Sequence, residues 1–304
     1  MDVNWIDLLD PTHEELKSKI PLRLQESAYR ALMAKPVTRE DEPRPTVQNH
    51  GTYVLGVFLV AIALPESDEM CYQEIDLIVG PGTLVSVRKT PLAGKQPYDL
   101  EAVRASLRDS DSAGMIAYRI VDDIAEKYLD LVDAIDAEID ELEDLVDTQS
   151  AQATRLRISE LRHDLLRIRR TLAPTRDAVR RIVDGTIEVE RGEEVFPHDA
   201  EIAFNSTYDK LLRAFDGLEI SRDLLASVRD YAQAKIAIDQ NDVTKKLTVG
   251  ASLILVPTFI VGVYGQNFVH MPELGWGFGY AYSWGVIVVT TILQLVWFKR
   301  RGWI

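Results

Sequence analysis

The sequence predicts an α+β soluble domain, then long stalk-like helices, then a C-terminal two-helix transmembrane hairpin. Three observations predict it. Residues 52–64 and 74–88 are rich in β-branched and apolar side chains, and Gly80-Pro81-Gly82 interrupts the second run as a turn would. From Ala113 onward the apolar positions recur at three- and four-residue steps, the period of an amphipathic helix. Residues 247–264 and 280–298 carry no charged side chain, and each is about as long as a hydrocarbon core requires, roughly 17–25 residues of helix.

Residues 1–112 form the expected soluble α+β domain. Asp10-Pro11-Thr12-His13-Glu14-Glu15-Leu16 pairs a capping threonine with a glutamate three positions later, which marks a helix start. The two β-rich runs imply a central sheet, whose strand order the sequence leaves open. Over residues 113–198 the pattern implies long antiparallel helices. In the first of them Ile120, Ile124, Tyr128, Leu131, Ile135, Ile139, Leu142 and Val146 share one face. Its polar face is acidic, from Asp122 to Asp147, and the helix that follows is basic, from Arg155 to Arg181. Charge matching between the two is expected to guide their pairing, since surface ion pairs individually contribute only about 0–1 kcal/mol. Residues 199–246 continue as a stalk helix through Leu211, Leu212, Phe215, Leu218, Leu224, Val228, Ile236 and Ile238. Only Asn241-Asp242 separates this pattern from the first span, so one helix of about sixty residues, roughly 90 Å at 1.5 Å per residue, is expected.

Residues 247–264 and 280–298 are the expected spans, 265–279 the loop between them, and 299–304 a basic tail. Lys245 and Lys246 precede the first span, Lys299-Arg300-Arg301 follow the second, and the loop has neither lysine nor arginine. The asymmetry predicts a multi-pass protein of the cell (inner) membrane with both termini in the cytoplasm. Trp276, Tyr280, Tyr282 and Trp284 then sit at the outer interface, and Trp297 and Trp303 at the inner one.

Composition excludes several classes. A formal charge of −14 opposes nucleic-acid binding, which draws on lysine and arginine. The single cysteine, Cys71, rules out an intramolecular disulfide and points to a reducing compartment for the soluble part. Met1-Asp2-Val3-Asn4-Trp5 has neither the basic nor the apolar region of a cleavable signal. No phosphate-binding loop, nucleophile elbow, zinc-protease motif or dinucleotide fingerprint is present, so no enzymatic activity and no resident cofactor are expected.

The loop carries the decisive motif. Tyr264-Gly265-Gln266-Asn267-Phe268, followed by Met271-Pro272-Glu273-Leu274, resembles the signature of the CorA family of divalent-cation channels, in which the second pair of motif residues reads Met-Asn. Asn241-Asp242-Val243-Thr244-Lys245-Lys246-Leu247-Thr248 resembles that family's approach to its first membrane helix, and Phe298-Lys299-Arg300-Arg301-Gly302-Trp303-Ile304 is similar to its basic, Trp-containing tail. Weaker likeness extends upstream to Trp5-Ile6-Asp7.

The resemblance implies a homopentameric funnel in the lipid bilayer, with five first spans around an axis and the second spans outside them. Two helices of one chain cannot enclose a polar path by themselves, which agrees with such a ring. Gly265, Gln266 and Asn267 then form the selectivity filter, with Gly265 ending the helix in a left-handed conformation. Asn241, Thr244, Leu247, Leu255 and Thr258 line the pore, although small and hydroxyl residues also serve close helix packing in membranes. A ring of Asn267 amide oxygens suits hydrated Mg²⁺, which gives up its waters reluctantly. Glu273 supplies a carboxylate ring at the outer entrance that concentrates cations. Cytosolic Mg²⁺ is expected to regulate the assembly by binding acids between copies, with Asp199, Glu201 and Asp209 facing Glu66, Asp68 and Glu69. Gln266 in place of methionine leaves two alternatives: a zinc transporter like the ZntB branch, or a non-conducting homologue. With five histidines and one cysteine the chain is poor in zinc ligands, so Mg²⁺, with Co²⁺ and Ni²⁺ as related cargoes, comes first.

Overall fold

A computed structural model describes residues 3–35, 43–64, 69–91, 97–187, 195–267 and 269–304. Two units are distinguished, residues 1–229 and 230–304.

The first unit is built on a five-stranded sheet. Its strands are β1 (Asn4–Leu9), β2 (Thr46–Asn49), β3 (Val54–Leu64), β4 (Glu69–Gly80) and β5 (Thr83–Arg88), in the order β1-β5-β4-β3-β2. β2 through β5 are an antiparallel meander, and β1 pairs parallel to β5. The β4–β5 turn uses Pro81-Gly82, with Gly82 at φ 64°, a conformation open to glycine without strain. The parallel edge is pinned by side chains. Trp5 Nε1 donates to Ser86 Oγ at 3.0 Å, Ser86 Oγ donates to Asp7 at 2.7 Å, and Arg88 makes a two-pronged pair with Asp7.

Alternation along β3, β4 and β5 divides the sheet's two faces. Leu55, Val57, Ile78, Val85 and Val87 meet Leu16, Ala28, Tyr29 and Leu32 of α1 (His13–Lys19) and α2 (Glu26–Met33). The expected helix start is present as a full capping box between Thr12 and Glu15. On the other face Phe58, Leu77 and Val79 meet Ala117, Val121, Ile182, Phe196 and Phe204 around a cavity of only about 10 Å³. After the short α3 (Glu101–Ala105), that face is covered by α4 (Ala113–Leu145), α5 (Ala151–Val183) and the start of α6 (His198–Tyr264). Every apolar α4 position read from the periodicity, Ile120 through Val146, is buried.

The expected charge-matched hairpin is realised only in part. Arg157 pairs with Glu138 across α4 and α5, but other basic residues of α5 turn elsewhere. Arg167 stacks on Tyr72, Arg176 on Phe215, and Arg181 donates to the Val47 carbonyl. The acids of α4 instead hold α6: Asp122 accepts from Thr207 at 2.8 Å and from Lys210 at 2.9 Å, and Asp136 accepts from Ser221 at 2.5 Å. Other α5 arginines pair with carboxylates away from α4, Arg169 with Glu219 of α6 and Arg180 with Asp184.

The second unit holds the rest of α6 and α7 (Gly279–Arg300), joined by a loop with one 3₁₀ turn at Pro272–Gly275. α6 is unbroken for 67 residues even though Pro257 lies inside it. Two helices, α6 and α7, are long and apolar enough to cross a membrane, and their apolar windows are almost wholly exposed rather than packed in a core. Exposed Leu, Ile, Val and Phe side chains over that length are stable in lipid, not in water.

Candidate permeation site

The hairpin's register is set by one polar contact. Gln294 Nε2 of α7 donates to the Ser252 carbonyl of α6 at 3.3 Å. One turn from it on each helix, Val249 and Phe298 are both buried, the seam of an antiparallel pair. Lys245, Ser252, Leu253, Val256, Ile260 and Val263 are half-buried along this α7-facing side of α6.

Away from α7, the rest of this part of α6 has no partner among the described residues. Asn241, Thr244, Thr248, Ala251, Leu255, Thr258 and Gly262 follow alternating three- and four-residue steps, so they form one stripe, and all seven are exposed. Leu247 borders this stripe and is 69% exposed. Above it in the chain, Tyr231 and Ile238 extend the same spacing as exposed apolar residues. The hydroxyls are already oriented. Thr244 donates to the Gln240 carbonyl at 2.9 Å, Thr248 to Thr244 at 2.8 Å and Thr258 to Ile254 at 2.7 Å. With its proton turned into the helix backbone, each threonine oxygen keeps acceptor lone pairs.

At the end of the stripe, Gly265, Gln266 and Asn267 are exposed as a terminal turn. The left-handed glycine expected at Gly265 is absent: its φ is not positive. The helix closes instead through Gly265 N–H to the Val261 carbonyl at 2.9 Å and Gln266 N–H to the Val263 carbonyl at 3.3 Å, a tightening of the last turn that needs no left-handed residue. A Cβ at Gly265 would make ordinary contact with the Val261 and Gly262 carbonyl oxygens, at 3.4 and 3.6 Å, so packing leaves room for a side chain there. Phe268 lies outside the described residues. Glu273 is half-buried at the 3₁₀ turn, and its carbonyl oxygen fills the space a side chain at Gly279 would need. His270 is exposed.

Of the expected regulatory acids, the three on α6 do not converge among the described residues. Asp199 and Glu201 lie in the first turn of α6, where the Asp199 carboxylate accepts from the Ala200 N–H at 3.0 Å and Glu201 lies 3.7 Å from His198 Nδ1. Asp209 is exposed about 15 Å further along the helix, too far to share an ion with Asp199. Glu66 and Asp68 fall outside the described residues, and of Glu69 only the backbone pairing with Leu64 is described. Among the described residues no three metal-ligating side chains converge.

Sequence reasoning missed a buried ionic cluster in the sheet. Lys89 reaches Glu74, Asp76 at 3.1 Å and the Ala31 carbonyl at 2.8 Å, and the three side chains are 2%, 6% and 0% exposed. Burial, reinforced by Glu74, holds the Asp76 carboxyl well above the ordinary range, and burial also raises Glu74. The signal was there in Gln73-Glu74-Ile75-Asp76, two acids at alternate positions inside an apolar strand. Between α4 and α6, Lys210 bonds Asp122 and Glu126; burial opposes its charge, but those two bonds outweigh it and hold its pKa above 10.5.

The chain thus combines a sheet-and-helix unit with a hairpin of two helices long and apolar enough to cross a membrane, the first of which carries a polar stripe. Residues 1–300 match the family described as CorA-like Mg²⁺ transporter protein, and the chain belongs to that family. Among its relatives are the putative metal ion transporter YfjQ of Bacillus subtilis, 31% identical over 76% of this chain and 70% of that one, and the cobalt/magnesium transport protein CorA of Thermotoga maritima, 27% identical over 86% and 73%. The complete structure of the CorA magnesium transporter from Methanocaldococcus jannaschii superposes with a TM-score of 0.77 at 21% identity, covering 99% of this chain and 91% of that one. That likeness establishes the expected fold along essentially the whole chain.

Proposed function

We propose that this chain is a transport protein, not an enzyme, that assembles as a homopentamer and passes hydrated divalent cations, Mg²⁺ first and Co²⁺ or Ni²⁺ as related cargoes. The carrying observation is the exposed stripe Asn241, Thr244, Thr248, Leu255, Thr258 and Gly262, on the side of α6 turned from α7. In lipid such a face gains nothing from exposure. Around an axis it gives alternating polar rings and apolar constrictions, with Leu247 and Leu255 as the narrow points. Tyr231 and Ile238 are the apolar surface the same symmetry would cover.

Asn267 ends the path with a neutral oxygen that bonds a cation's waters without stripping them, and Gln266 adds a second amide beside it. Glu273 raises the local cation concentration at the mouth. Lys245, Lys246 and Lys299-Arg300-Arg301 orient both termini to the cytoplasm. Asp199, Glu201 and Asp209 take the regulatory role between copies, against Glu66, Asp68 and Glu69 of a neighbour, and among the described residues they converge with no third metal-ligating side chain. Cytosolic divalent cations bound there favour the closed packing of an acidic assembly.

The test is divalent uptake into vesicles containing the purified protein, comparing Mg²⁺ with Zn²⁺. Saturable Mg²⁺ uptake abolished by Asn267→Ala supports the proposal. Gln266 is the observation behind the second reading, a zinc transporter like ZntB or a silent homologue: Zn²⁺ uptake alone would favour the first, and flux that appears only with Gln266→Met the second.

A further inference from the structure

We infer that the ends of the two spans together form a binding site for an anionic phospholipid headgroup. The same register that joins Gln294 to Ser252, carried one turn further past Val249 and Phe298, brings Lys245 and Lys246 level with the end of α7. Lys299, Arg300 and Arg301 occupy that end, so the register brings five cations to one level of the hairpin, with Asp242, 2.9 Å from Lys245, and Asp239 one turn before it as the nearest acids along the chain. A cationic helix C-terminus is also the favourable end of the helix dipole.

The chain beyond α7 is built, not frayed. Gly302, at φ 68°, turns it back; Trp303 N–H reaches the Phe298 carbonyl at 3.0 Å and Gly302 N–H the Lys299 carbonyl at 3.1 Å. This is the paired-bond helix stop in which the residue after the glycine packs on the last turn. Here that contact is Trp303 stacked on buried Phe298, ring centroids 5.7 Å apart, with Trp297 at 6.1 Å from Trp303 and the Arg301 guanidinium 5.4 Å over Trp297. Two indoles at headgroup depth hold the glycerol and upper acyl region, and the cations around them hold the phosphodiester. The inference rests on the membrane reading of the hairpin, and goes beyond it by assigning a lipid class to a site.

The test uses the full chain in mixed micelles of equimolar phosphatidylglycerol and phosphatidylcholine, with bound lipids counted by native mass spectrometry. Wild type is expected to hold phosphatidylglycerol preferentially. The preference should fall at least fivefold in Lys299→Gln/Arg300→Gln/Arg301→Gln, the factor that corresponds to about 1 kcal/mol, the contribution of one interfacial cation. Gly302→Val, which changes no charge but unseats Trp303, should at least halve it. Arg155→Gln/Arg162→Gln/Arg170→Gln, an equal charge change on exposed positions of α5, should leave it unaltered. No preference in wild type, an undiminished one in either tail variant, or an equal loss in the α5 variant overturns the inference. Flotation with vesicles separates the two readings: a chain that does not float refutes the membrane reading itself, whereas one that floats without lipid preference refutes only this site.

Discussion

Lys89→Met tests the buried cluster that the sequence did not announce. Lys89 is 2% exposed and faces Glu74 and Asp76, which are no more than 6% exposed. Burial, reinforced by Glu74, raises the Asp76 carboxyl well above its ordinary range, so it is the acid that favours its proton in this cluster. Methionine fills much of the same volume but leaves Glu74 buried without a counter-charge and frees the Ala31 carbonyl. Removing one partner of such a pair costs about 3–5 kcal/mol. Protonation relieves the loss, and burial raises the Glu74 carboxyl above the ordinary range, so the loss should shrink toward about 1 kcal/mol, that of a missing hydrogen bond, as pH falls through that raised value. The sign in the wild type follows the same logic. Asp76 has a folded pKa raised above 3.8, so its contribution is fully present below 3.8 and is lost as pH rises through the folded value, at no more than about 1.4 kcal/mol per pH unit. Hydrogen exchange of β4 and β5 amides, measured at pH 8 and pH 5 on the full chain in detergent, reads both effects. A loss under about 1 kcal/mol at pH 8, or the same loss at both pH values, would refute the reasoning. The neutral combination Lys89→Met/Glu74→Gln/Asp76→Asn should recover most of the loss.

Three further outcomes follow from the geometry. Tyr128→Phe removes the phenol that donates to the Leu59 carbonyl at 3.1 Å, and should lower chemical stability of the soluble unit by about 1 kcal/mol. Lys210→Met should cost about 1–2 kcal/mol in the same denaturation assay, since it releases Asp122 and Glu126 of α4 from α6. Because the folded Lys210 pKa is raised above 10.5, that contribution is complete at neutral pH and should disappear only on titration above 10.5. Gly279→Val drives a side chain into the Glu273 carbonyl, so the loop must move and Mg²⁺ uptake in vesicles should fall at least tenfold while the soluble unit's unfolding midpoint stays unchanged.

What was legible in the sequence had a period or a forced chemistry. The α4 face from Ile120 to Val146 was readable because burial on a helix repeats every three to four residues, and the Thr12–Glu15 start because a capping box needs those side chains at that spacing. β1 and β2 were not readable. Asn4–Leu9 and Thr46–Asn49 are short edge strands whose identity is decided by partners far along the chain: Ser86 and Arg88 for the first, Val54 through Val57 for the second. The fate of the α5 arginines was equally distant, since Tyr72, Phe215 and Val47 are brought to them only by the fold.

The candidate site divides along the same line. Its local half, the stripe on α6 and the turn at Gly265, follows from helical spacing in one segment, and even the error at Gly265 is local: two backbone bonds close the helix where a left-handed residue was expected. Its other half depends on copies. Asp199 and Asp209 are about 15 Å apart on one rigid helix, so no folding of this chain alone can turn them into one cation site. Along the polar stripe, at the approach to the first apolar segment and within it, threonine oxygens with their protons turned to the helix have acceptor lone pairs with no partner among the described residues. On the proposed pore reading these oxygens line a shared path, so a variant such as Thr244→Val/Thr248→Val/Thr258→Val, which keeps the shape and removes the oxygens, should fold and assemble as the wild type does yet lose most of its cation flux.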